Sequence, residues 1–485
     1  MQRMSWLWVL LGGALTWGAG CGEGDPKPSP EEPPVQRAGP AFLVKDAAGG
    51  KPSLFDFEPY NSKTLAIDVA GTLYFQRTPI SHSNNQLWRS DGTREGTRMV
   101  QGPWWNHPAM APERLTSLNG HLLYAARVST EDGAPYRLWR HDPATETAED
   151  LTPYQDLPKG VHGDAAVELV EAQGRAFFGV QEGAEGALWV TDGTRNGTLR
   201  LRSGLGLEPP VPLASLGTRV FFSVRDAETH RALWVSDGTT DGTVKVSDLV
   251  PPGGSVGVIR SGAVVGDQWL FWMTAHSQAS GELQLWKSNG TPQGTVPVSP
   301  EVIPNTAYTS NQTGVVLGDS LVFPRIRHPE RVWELWKSDG RTVELAASLG
   351  ALEQGPIGLT VLNDHVLFWA AKARPEYTLW RTNGTQAGTQ PLLTTRMVDQ
   401  SPLLPLPPLV LSRPGGPILF SAWDAEAGLE LWRTDGTVQS TVRYADIEPG
   451  PESSSPGWMV VSGGHVFFTA RTQATGRELW ALPIP

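Results

Sequence analysis

The sequence predicts an all-β fold, a β-propeller of four-stranded antiparallel blades, and three observations support this prediction. The dipeptide Leu-Trp occurs nine times, at intervals of 44 to 52 residues, and a period of about 40 to 50 residues is typical of arrays of small β units. Most copies run into an Asp-Gly or Asn-Gly turn, and most follow a short aromatic and β-branched run. The nine tryptophans, which we predict to be structural, are Trp88, Trp139, Trp189, Trp234, Trp286, Trp336, Trp380, Trp432 and Trp480.

The repeat around Trp234 illustrates how the strands are predicted. Val220–Phe222 is a short apolar run of the kind found in buried strands, and Leu233 and Trp234 end the next strand. Neighbouring residues on a strand point to opposite faces, so Leu233 and Trp234 are both buried only if both faces of the sheet are covered. The Asp-Gly-Thr segment then reverses the chain. A further strand on each side gives four per blade, and blades stacked around an axis cover both faces.

The last repeat lacks a fourth strand because the chain ends five residues after Trp480. Residues 41–46 resemble the fourth-strand segment at 441–446, so we expect the N-terminal strand to complete the last blade. Counting tryptophans gives nine blades, whereas propellers usually have four to eight. The alternative is eight blades, with the degenerate unit around Trp139 as an excursion from the ring.

The first forty residues predict export and a lipid anchor. Residues 1–20 have a short positive start and an apolar stretch too brief to span a membrane, as in a secretory signal. Cys21 is the only cysteine of 485 residues and follows Gly-Ala-Gly, which matches a lipoprotein cleavage site except that Gly18 replaces the usual leucine. We expect residues 21–40 to be a lipidated, proline-rich tether and residues 41–485 to be the propeller.

The composition and charge of the sequence limit the kinds of binding partner that we expect. The formal net charge is −11 and the sequence pI is about 5.5, and no basic stripe suggests binding to nucleic acid. The 53 glycines and 41 prolines suit a fold with many turns. We therefore expect a membrane contact through the N-terminal lipid, a location in the cell envelope facing the periplasm or the surface, and a protein or glycan ligand.

The string Glu-Leu-Trp-x-x-Asp-Gly-Thr, nearly complete at residues 430–437 and 334–340, resembles the bacterial ELWxxDGT repeat family. This resemblance covers about residues 41–482 and implies a repeat architecture outside the cytoplasm, often in lipoproteins, with no established reaction. Residues 422–428 and 470–476 are also similar to the tryptophan-docking motif of quinoprotein propellers. Those enzymes often use a disulfide between adjacent cysteines, which one cysteine cannot form. We therefore predict shared blade packing and no cofactor.

The sequence offers few candidates for chemistry. No nucleophile elbow, phosphate-binding loop or zinc-ligand spacing is present, so we assign no catalytic or metal-binding residue. The repeated aspartates at the turns suit a turn role better than calcium binding, because each turn offers one acid and two copies have Asn. We expect His121, His365 and His465 to be exposed turn residues. Trp104 and Trp105, in a connection between repeats, are candidate ligand contacts, although packing against their own blade is the simpler interpretation.

These features favour a non-enzymatic, membrane-tethered binding scaffold for protein or glycan. The alternative is an extracytoplasmic propeller enzyme, a glycan hydrolase or lyase, or less plausibly a quinoprotein-like enzyme. Its site would be assembled from residues of different blades at the central channel, which sequence motifs do not reveal.

Overall fold

The computed structural model describes residues 41–45, 66–77, 86–100, 112–127, 136–151, 169–225, 231–249, 258–274, 282–304, 314–327, 329–396, 409–410 and 415–484. These residues form nine four-stranded antiparallel sheets, arranged as the blades of a ring. The predicted all-β propeller is therefore confirmed, with nine blades. The prediction of eight is wrong, because the unit around Trp139 is a complete blade. No helix among the described residues is long and apolar enough to cross a membrane.

In every blade the four strands run from the ring axis outward, and each pairs with the strand next in sequence, except that β36 of blade 9 pairs with β1. The innermost strands are β2 (Ala66–Val69), β6 (Glu113–Leu118), β10 (Val170–Ala172), β14 (Val211–Leu216), β18 (Ile259–Val265), β22 (Val315–Leu317), β26 (Gln354–Leu362), β30 (Leu409–Val410) and β34 (Gly457–Ser462). The second strands are β3 (Thr72–Arg77), β7 (His121–Arg127), β11 (Arg175–Glu182), β15 (Arg219–Arg225), β19 (Gln268–Thr274), β23 (Ser320–Arg327), β27 (His365–Ala373), β31 (Ile418–Asp424) and β35 (His465–Thr472).

The third strands carry the Leu-Trp pairs, and the fourth strands form the outer rim. The third strands are β4 (Gln86–Ser90), β8 (Tyr136–Asp142), β12 (Glu185–Thr191), β16 (Arg231–Ser236), β20 (Glu282–Ser288), β24 (Val332–Ser338), β28 (Glu376–Thr382), β32 (Gly428–Thr434) and β36 (Gly476–Pro483). The fourth strands are β5 (Arg98–Met99), β9 (Thr147–Asp150), β13 (Leu199–Arg202), β17 (Val244–Asp248), β21 (Val296–Pro304), β25 (Val343–Ala351), β29 (Gln390–Arg396), β33 (Val442–Ala445) and, for blade 9, β1 (Phe42–Lys45).

The N-terminal strand closes the ring, as predicted. Strand β1 pairs antiparallel with β36, with Phe42 opposite Ala481 and Leu43 opposite Trp480. The Nζ of Lys45 donates a 2.5 Å hydrogen bond to the carbonyl oxygen of Thr97 in blade 1. The first and last segments of the ring are thereby joined to each other and to the first blade.

The hydrophobic core is divided among the seams between blades. Nine buried clusters are present, and each contains side chains from two adjacent blades. At the seam between blades 7 and 8, for example, Trp369 and Phe420 are fully buried with ring centroids 5.7 Å apart. Burying both faces of each sheet between neighbours explains why the strands are apolar runs without alternation.

Each Leu-Trp pair holds a fixed place in this packing. All nine leucines are buried, and no tryptophan of the nine is exposed: Trp189 and Trp286 are buried and the other seven are half-buried. In each blade the tryptophan lies directly opposite an aromatic residue of the second strand, as Trp234 lies opposite Phe222. Cross-strand aromatic pairs of this kind stabilise sheets. The structural role predicted for the tryptophan repeats fits this placement.

Candidate functional site

The side-chain oxygens of the repeated turns accept hydrogen bonds within the turn itself. In blade 4 the Oδ1 atom of Asp237 accepts hydrogen bonds from the Thr239 backbone nitrogen at 2.9 Å and from Thr239 Oγ1 at 2.7 Å. The hydrogen bond from the Thr239 side chain is the main reason that the pKa of Asp237 is lowered. In blade 5, Asn289 makes the same contacts to Thr291, at 3.0 and 2.7 Å. Because a neutral amide replaces the carboxylate, the turn needs an acceptor and not a charge.

Each of these turns also contacts the preceding blade. Arg175, which begins the second strand of blade 3, donates from Nη2 to the carbonyl oxygen of Asp237 at 2.9 Å. The residue after the tryptophan reaches the same place: Lys287 Nζ donates to the carbonyl oxygen of Gly340 at 2.7 Å, and Arg381 Nη1 donates to that of Gly436 at 2.7 Å. These cations serve the seams between blades, a role that the sequence analysis missed.

The three histidines at the start of second strands lie in the same region. His121, His365 and His465 are half-buried, so the prediction that they are exposed turn residues is wrong. His465 lies so close to Gly92 of blade 1 that a Cβ there would be 2.8 Å from the imidazole Cε1. The turn of the next blade covers the ring, which explains the lower exposure.

The innermost strands present a different kind of surface. Within the described ranges each of them pairs only with the second strand of its own blade, so its other backbone edge faces the ring axis without a sheet partner among those residues. Such edges carry N–H and C=O groups that can pair with an extended chain. Among the described residues no group of three or more His, Cys, Asp or Glu side chains is placed to hold a metal ion.

Backbone strain singles out three residues on this inner surface. Nine described non-glycine residues have positive φ, and six of them lie in chain reversals between strands, where this conformation is common. The other three are Arg114 (φ 58°), Ser455 (φ 48°) and Trp458 (φ 44°). Non-glycine residues held in this region cost about 1–3 kcal/mol each and are found preferentially at ligand-binding sites.

Trp458 sits in a bulge of β34. Gly457 pairs with Thr469 and Met459 pairs with Phe468, which leaves Trp458 as the extra residue on the inner strand. Its half-buried ring lies 6.3 Å from that of Phe75 in blade 1. A bulge redirects the side chain of the extra residue, and here it places an indole at the inner end of the seam between blades 9 and 1.

Arg114 occupies the corresponding place in blade 2. It lies in the irregularity of β6 between Glu113 and Thr116, and it precedes His121 by seven residues, as Trp458 precedes His465. The segment before it is held by Gln76 of blade 1, whose buried side-chain amide donates to the carbonyl oxygen of Pro112. Blade 7 has Gly358 (φ 64°) at the same place, seven residues before His365, so the left-handed position on the inner strand recurs in the repeat.

The segment that leads into Trp458 is organised by a buried acid. Glu430 of β32 is fully buried. Its carboxylate accepts hydrogen bonds from the backbone nitrogens of Ile447 at 2.9 Å and Ser454 at 2.8 Å, and from Ser454 Oγ at 2.7 Å. Burial raises the pKa of Glu430, while these hydrogen bonds act in the opposite direction. A buried carboxylate is tolerated when its oxygens are satisfied in this way.

Further hydrogen bonds fix the same segment on both sides. Arg477 Nη1 donates to the carbonyl oxygen of Ser455 at 3.0 Å, and Ser421 Oγ donates to that of Pro456 at 2.5 Å. The Ser455 backbone nitrogen donates to the carbonyl oxygen of Leu429 at 3.0 Å. Two blades thus hold the connection in place, and this explains how the left-handed conformations of Ser455 and Trp458 are maintained.

The sequence analysis had not singled out Trp458, Arg114 or Glu430 as site residues. The run Ser453–Gly457 between a proline-rich turn and a tryptophan was the available signal. Of the predicted site residues, Trp104 and Trp105 lie outside the described residues, as does Cys21.

No protein-family model and no curated protein matches the sequence. Solved structures do match the fold. The dipeptidyl peptidase 4 of Porphyromonas gingivalis is similar with a TM-score of 0.50 and 9% identity, over 87% of this chain and 67% of that one. A puromycin hydrolase is similar over 80% of this chain and 61% of its own, with a TM-score of 0.37 and 13% identity. A structure from a study of two prolyl endopeptidases is similar over 74% of this chain and 54% of its own, with a TM-score of 0.41 and 10% identity.

This comparison corrects the expectation of a non-enzymatic binding scaffold, which is wrong. One solved structure that is similar in fold over 87% of this chain is that of a dipeptidyl peptidase. The absence of a recognisable motif in a repeat sequence was therefore no ground for excluding catalysis, because propeller sites are assembled from separate blades. At 9% identity the similarity establishes the propeller fold and nothing about substrate or catalytic residues.

Proposed function

We propose that this chain is the substrate-admitting propeller of an extracytoplasmic peptide hydrolase. The observation that carries the proposal is the inner surface, where nine strand edges that have no sheet partner among the described residues surround the axis. An extended peptide has the complementary N–H and C=O groups along its whole length, whereas a glycan does not. The fold shared with a dipeptidyl peptidase 4 supports the same substrate class. Peptide is therefore favoured over the glycan predicted for a propeller enzyme.

The proposal assigns to the ring the task of admitting and holding the substrate. The innermost strands would form the wall against which a peptide lies, and the hydrogen bonds of Glu430 to Ser454 hold the segment that leads into the innermost strand of blade 9. The chain covers between 54% and 67% of the peptidases compared above, so we assign no catalytic nucleophile to the residues described.

The location is part of the proposal. We infer that the chain belongs to the ELWxxDGT repeat family and is attached to a membrane of the cell envelope through a lipid on Cys21. The repeat motif, the single cysteine after a small-residue run and the proline-rich residues 22–40 support this. An anchored ring would meet peptides outside the cytoplasm.

The test is peptide hydrolysis by envelope fractions from cells that express the chain and from cells that lack it. A panel of fluorogenic dipeptide and tripeptide coumarin amides is the probe, and release of reducing ends from a mixed polysaccharide panel is the comparison. We expect faster peptide cleavage with the chain present, and loss of that gain when residues 41–46 are deleted. Deletion of residues 22–37 is the matched control. Equal peptide cleavage in both fractions, or a gain confined to polysaccharide, would contradict the proposal.

A further inference from the structure

We propose that the Asn196-Gly197 pair of blade 3 is a site of self-modification, at which the backbone nitrogen of Gly197 attacks the side-chain amide of Asn196 and converts it to an acid. This inference does not depend on the proposed function. The chain has four Asn-Gly pairs, which begin at Asn119, Asn196, Asn289 and Asn383. Glycine places no side chain in the way of such an attack, so the hydrogen bonds around each pair decide which of them reacts.

Three of the four pairs have an asparagine side chain that is held in place. Asn119 donates from Nδ2 to the carbonyl oxygens of Gly174 at 2.8 Å and Asp192 at 3.1 Å, which fixes its amide between blades 2 and 3. Asn289 and Asn383 each accept two hydrogen bonds at Oδ1, from the backbone nitrogen and the hydroxyl of the threonine two residues later. Attack on these three side chains requires that such hydrogen bonds break first.

The fourth asparagine side chain is free to move. Asn196 is exposed in the turn that follows Trp189. In the described part of the chain this turn is fixed by hydrogen bonds of Asp192, Thr194 and Thr198, and none of them uses the Asn196 side chain. The amide can therefore turn toward the backbone nitrogen of the next residue, with which it forms a five-membered ring.

The attacking nitrogen lies at the end of a chain of hydrogen bonds that leads to a carboxylate. The Gly197 backbone nitrogen donates to Thr194 Oγ1 at 2.9 Å, and the Thr194 hydroxyl donates to Asp192 Oδ1 at 2.7 Å. The Gly197 proton can thus pass to Thr194 while the Thr194 proton passes to the carboxylate. The carboxylate also lies against Gly197, since a Cβ on this residue would collide with it. Asp192 therefore accepts the proton through Thr194.

Blade 3 is the one repeat whose sequence combines this acid with an asparagine before the second glycine of the turn. Blades 1 and 4 have the acid, but Glu95 and Asp241 stand in place of Asn196. In blades 5 and 7 the corresponding chain of hydrogen bonds ends on the neutral amides of Asn289 and Asn383. An amide oxygen is a much weaker base than a carboxylate, so those turns lack the proton acceptor.

The reaction needs water as its only other reactant. The bond between the Gly197 nitrogen and Asn196 Cγ forms, the bond between Cγ and Nδ2 breaks, and ammonia leaves with the proton that Asp192 had accepted. Water then opens the succinimide ring at one of its two carbonyls, which yields aspartate or isoaspartate. Aspartate is the residue of blade 4 at this place. Isoaspartate instead lengthens the backbone beside Arg195, whose Nη2 donates to the carbonyl oxygen of Asp150 in blade 2 at 2.9 Å.

The experiment incubates the full chain and follows the conversion of all four pairs by trypsin digestion and mass spectrometry. We expect Asn196 to convert about tenfold faster than the other three asparagines in the folded chain, because two side-chain hydrogen bonds hold each of those. In urea, which removes these hydrogen bonds and the turn, the four rates should converge. Equal rates in the folded chain, or no conversion of Asn196, would overturn the proposal.

Asp192→Asn tests the proton acceptor, because Asn289 shows that an amide accepts the same hydrogen bonds from the turn. We expect the conversion of Asn196 to slow by about tenfold at mildly acidic pH. The difference should shrink at alkaline pH, where hydroxide removes the Gly197 proton directly, and the thermal midpoint should not change. A rate equal to that of the wild type at both pH values would exclude Asp192 as the acceptor.

A matched pair of variants transfers the site to other blades. Asp241→Asn places an asparagine before Gly242 in blade 4, where the chain of hydrogen bonds ends on the carboxylate of Asp237. This variant should gain a second fast site. Gln293→Asn makes the same change in blade 5, where the chain ends on the amide of Asn289, and its new asparagine should convert about tenfold more slowly. Equal conversion at the two new positions would overturn the assignment of the carboxylate.

Discussion

The imidazole of His141 packs edge-on against the ring of Tyr74, with centroids 5.5 Å apart and planes at 68°. The two residues belong to blades 2 and 1, and both are buried, with exposed fractions of 1% and 0%. Within the described part of the chain, the two imidazole nitrogens of His141 and the hydroxyl of Tyr74 have no hydrogen-bond partner. Blades 1 and 3 to 8 have a serine or threonine at this place, and its hydroxyl accepts a hydrogen bond from the turn, as Ser236 Oγ accepts one from the Gly238 backbone nitrogen at 3.1 Å.

The environment of His141 is expected to make the stability of the propeller depend on pH. Burial is the main cause that lowers the pKa of His141 to about 4. The charged groups that face it are Glu146 and Asp142, which favour protonation, and Arg89 and Arg98, which oppose it. The neutral form is therefore held in the folded state, while an unfolded histidine has a pKa of about 6.5.

We expect the stability of the wild type to fall as pH decreases from about 6.5 to about 4. The unfolded chain binds the proton over that range and the folded chain does not, with a slope of up to about 1.4 kcal/mol per pH unit for this group. His141→Ser, which introduces the serine or threonine type found in seven of the other eight blades, should show a shallower slope between pH 6.5 and 4.5 in thermal melts. Parallel slopes for the two proteins would contradict the assignment.

Replacing Trp286 by alanine should destabilise the ring by about 3–5 kcal/mol, because the indole is 7% exposed and its Nε1 donates to Gln284 Oε1 at 3.0 Å. Leu345→Ala is the control, since Leu345 is 51% exposed on the outer rim and should change stability by less than about 0.5 kcal/mol. Urea titrations followed by circular dichroism measure both. Similar midpoints would contradict the structural role predicted for this tryptophan.

Deleting residues 41–46 should lower the thermal midpoint of the whole ring. The deletion removes β1, leaves the outer edge of β36 unpaired, and removes the contact of Lys45 with Thr97. Deleting residues 22–37, which precede the ring, should leave the midpoint unchanged. If the two deletions melt alike, β1 does not act as the closing strand.

Substitutions of Asp237 distinguish its role as a hydrogen-bond acceptor in the turn from a role of its charge. Asp237→Asn should change stability by less than about 0.5 kcal/mol, because Asn289 makes the same contacts in blade 5. Asp237→Ala removes the acceptor for Thr239 and should cost about 1 kcal/mol. Chemical denaturation of the two variants distinguishes them, and a larger loss for Asn than for Ala would point to a role for the charge.

The anchor is tested by Cys21→Ala. We expect this variant to leave the membrane fraction without any change in thermal midpoint, because residues 22–40 separate the cysteine from the ring. Fractionation after a high-salt wash is the measurement, with the wild type as control. A variant that still pellets with membranes would mean that another part of the protein holds it there.

The propeller could be predicted from the sequence because the signals of the repeat are local. The Asp-Gly-Thr turns, the adjacent Leu-Trp pair and the apolar second strand each specify a few consecutive residues, and nine copies reinforce the pattern. The complete blade around Trp139 was uncertain because its turn glycine is missing. The strands of this blade nevertheless pack against both neighbouring blades, so the blade forms although the turn glycine is missing.

The candidate site was not predictable in the same way. Glu430 lies 24 residues from Ser454 in sequence, so its hydrogen bonds arise from the folding of two blades together. In the sequence it is simply the acidic position of a repeated motif. The left-handed conformation of Trp458 is likewise a product of contacts from neighbouring blades, and no local signal marks it.

In several repeats the residue after the tryptophan donates a hydrogen bond to the turn of the next blade, as Lys287 does to Gly340 and Arg381 does to Gly436. A single repeat therefore carries a donor for its successor and an acceptor for its predecessor. Tandem duplication of one such unit creates a copy that fits on both sides without any new contact. The number of blades could thus change during evolution by gain or loss of a repeat, which offers a route to a ring of nine.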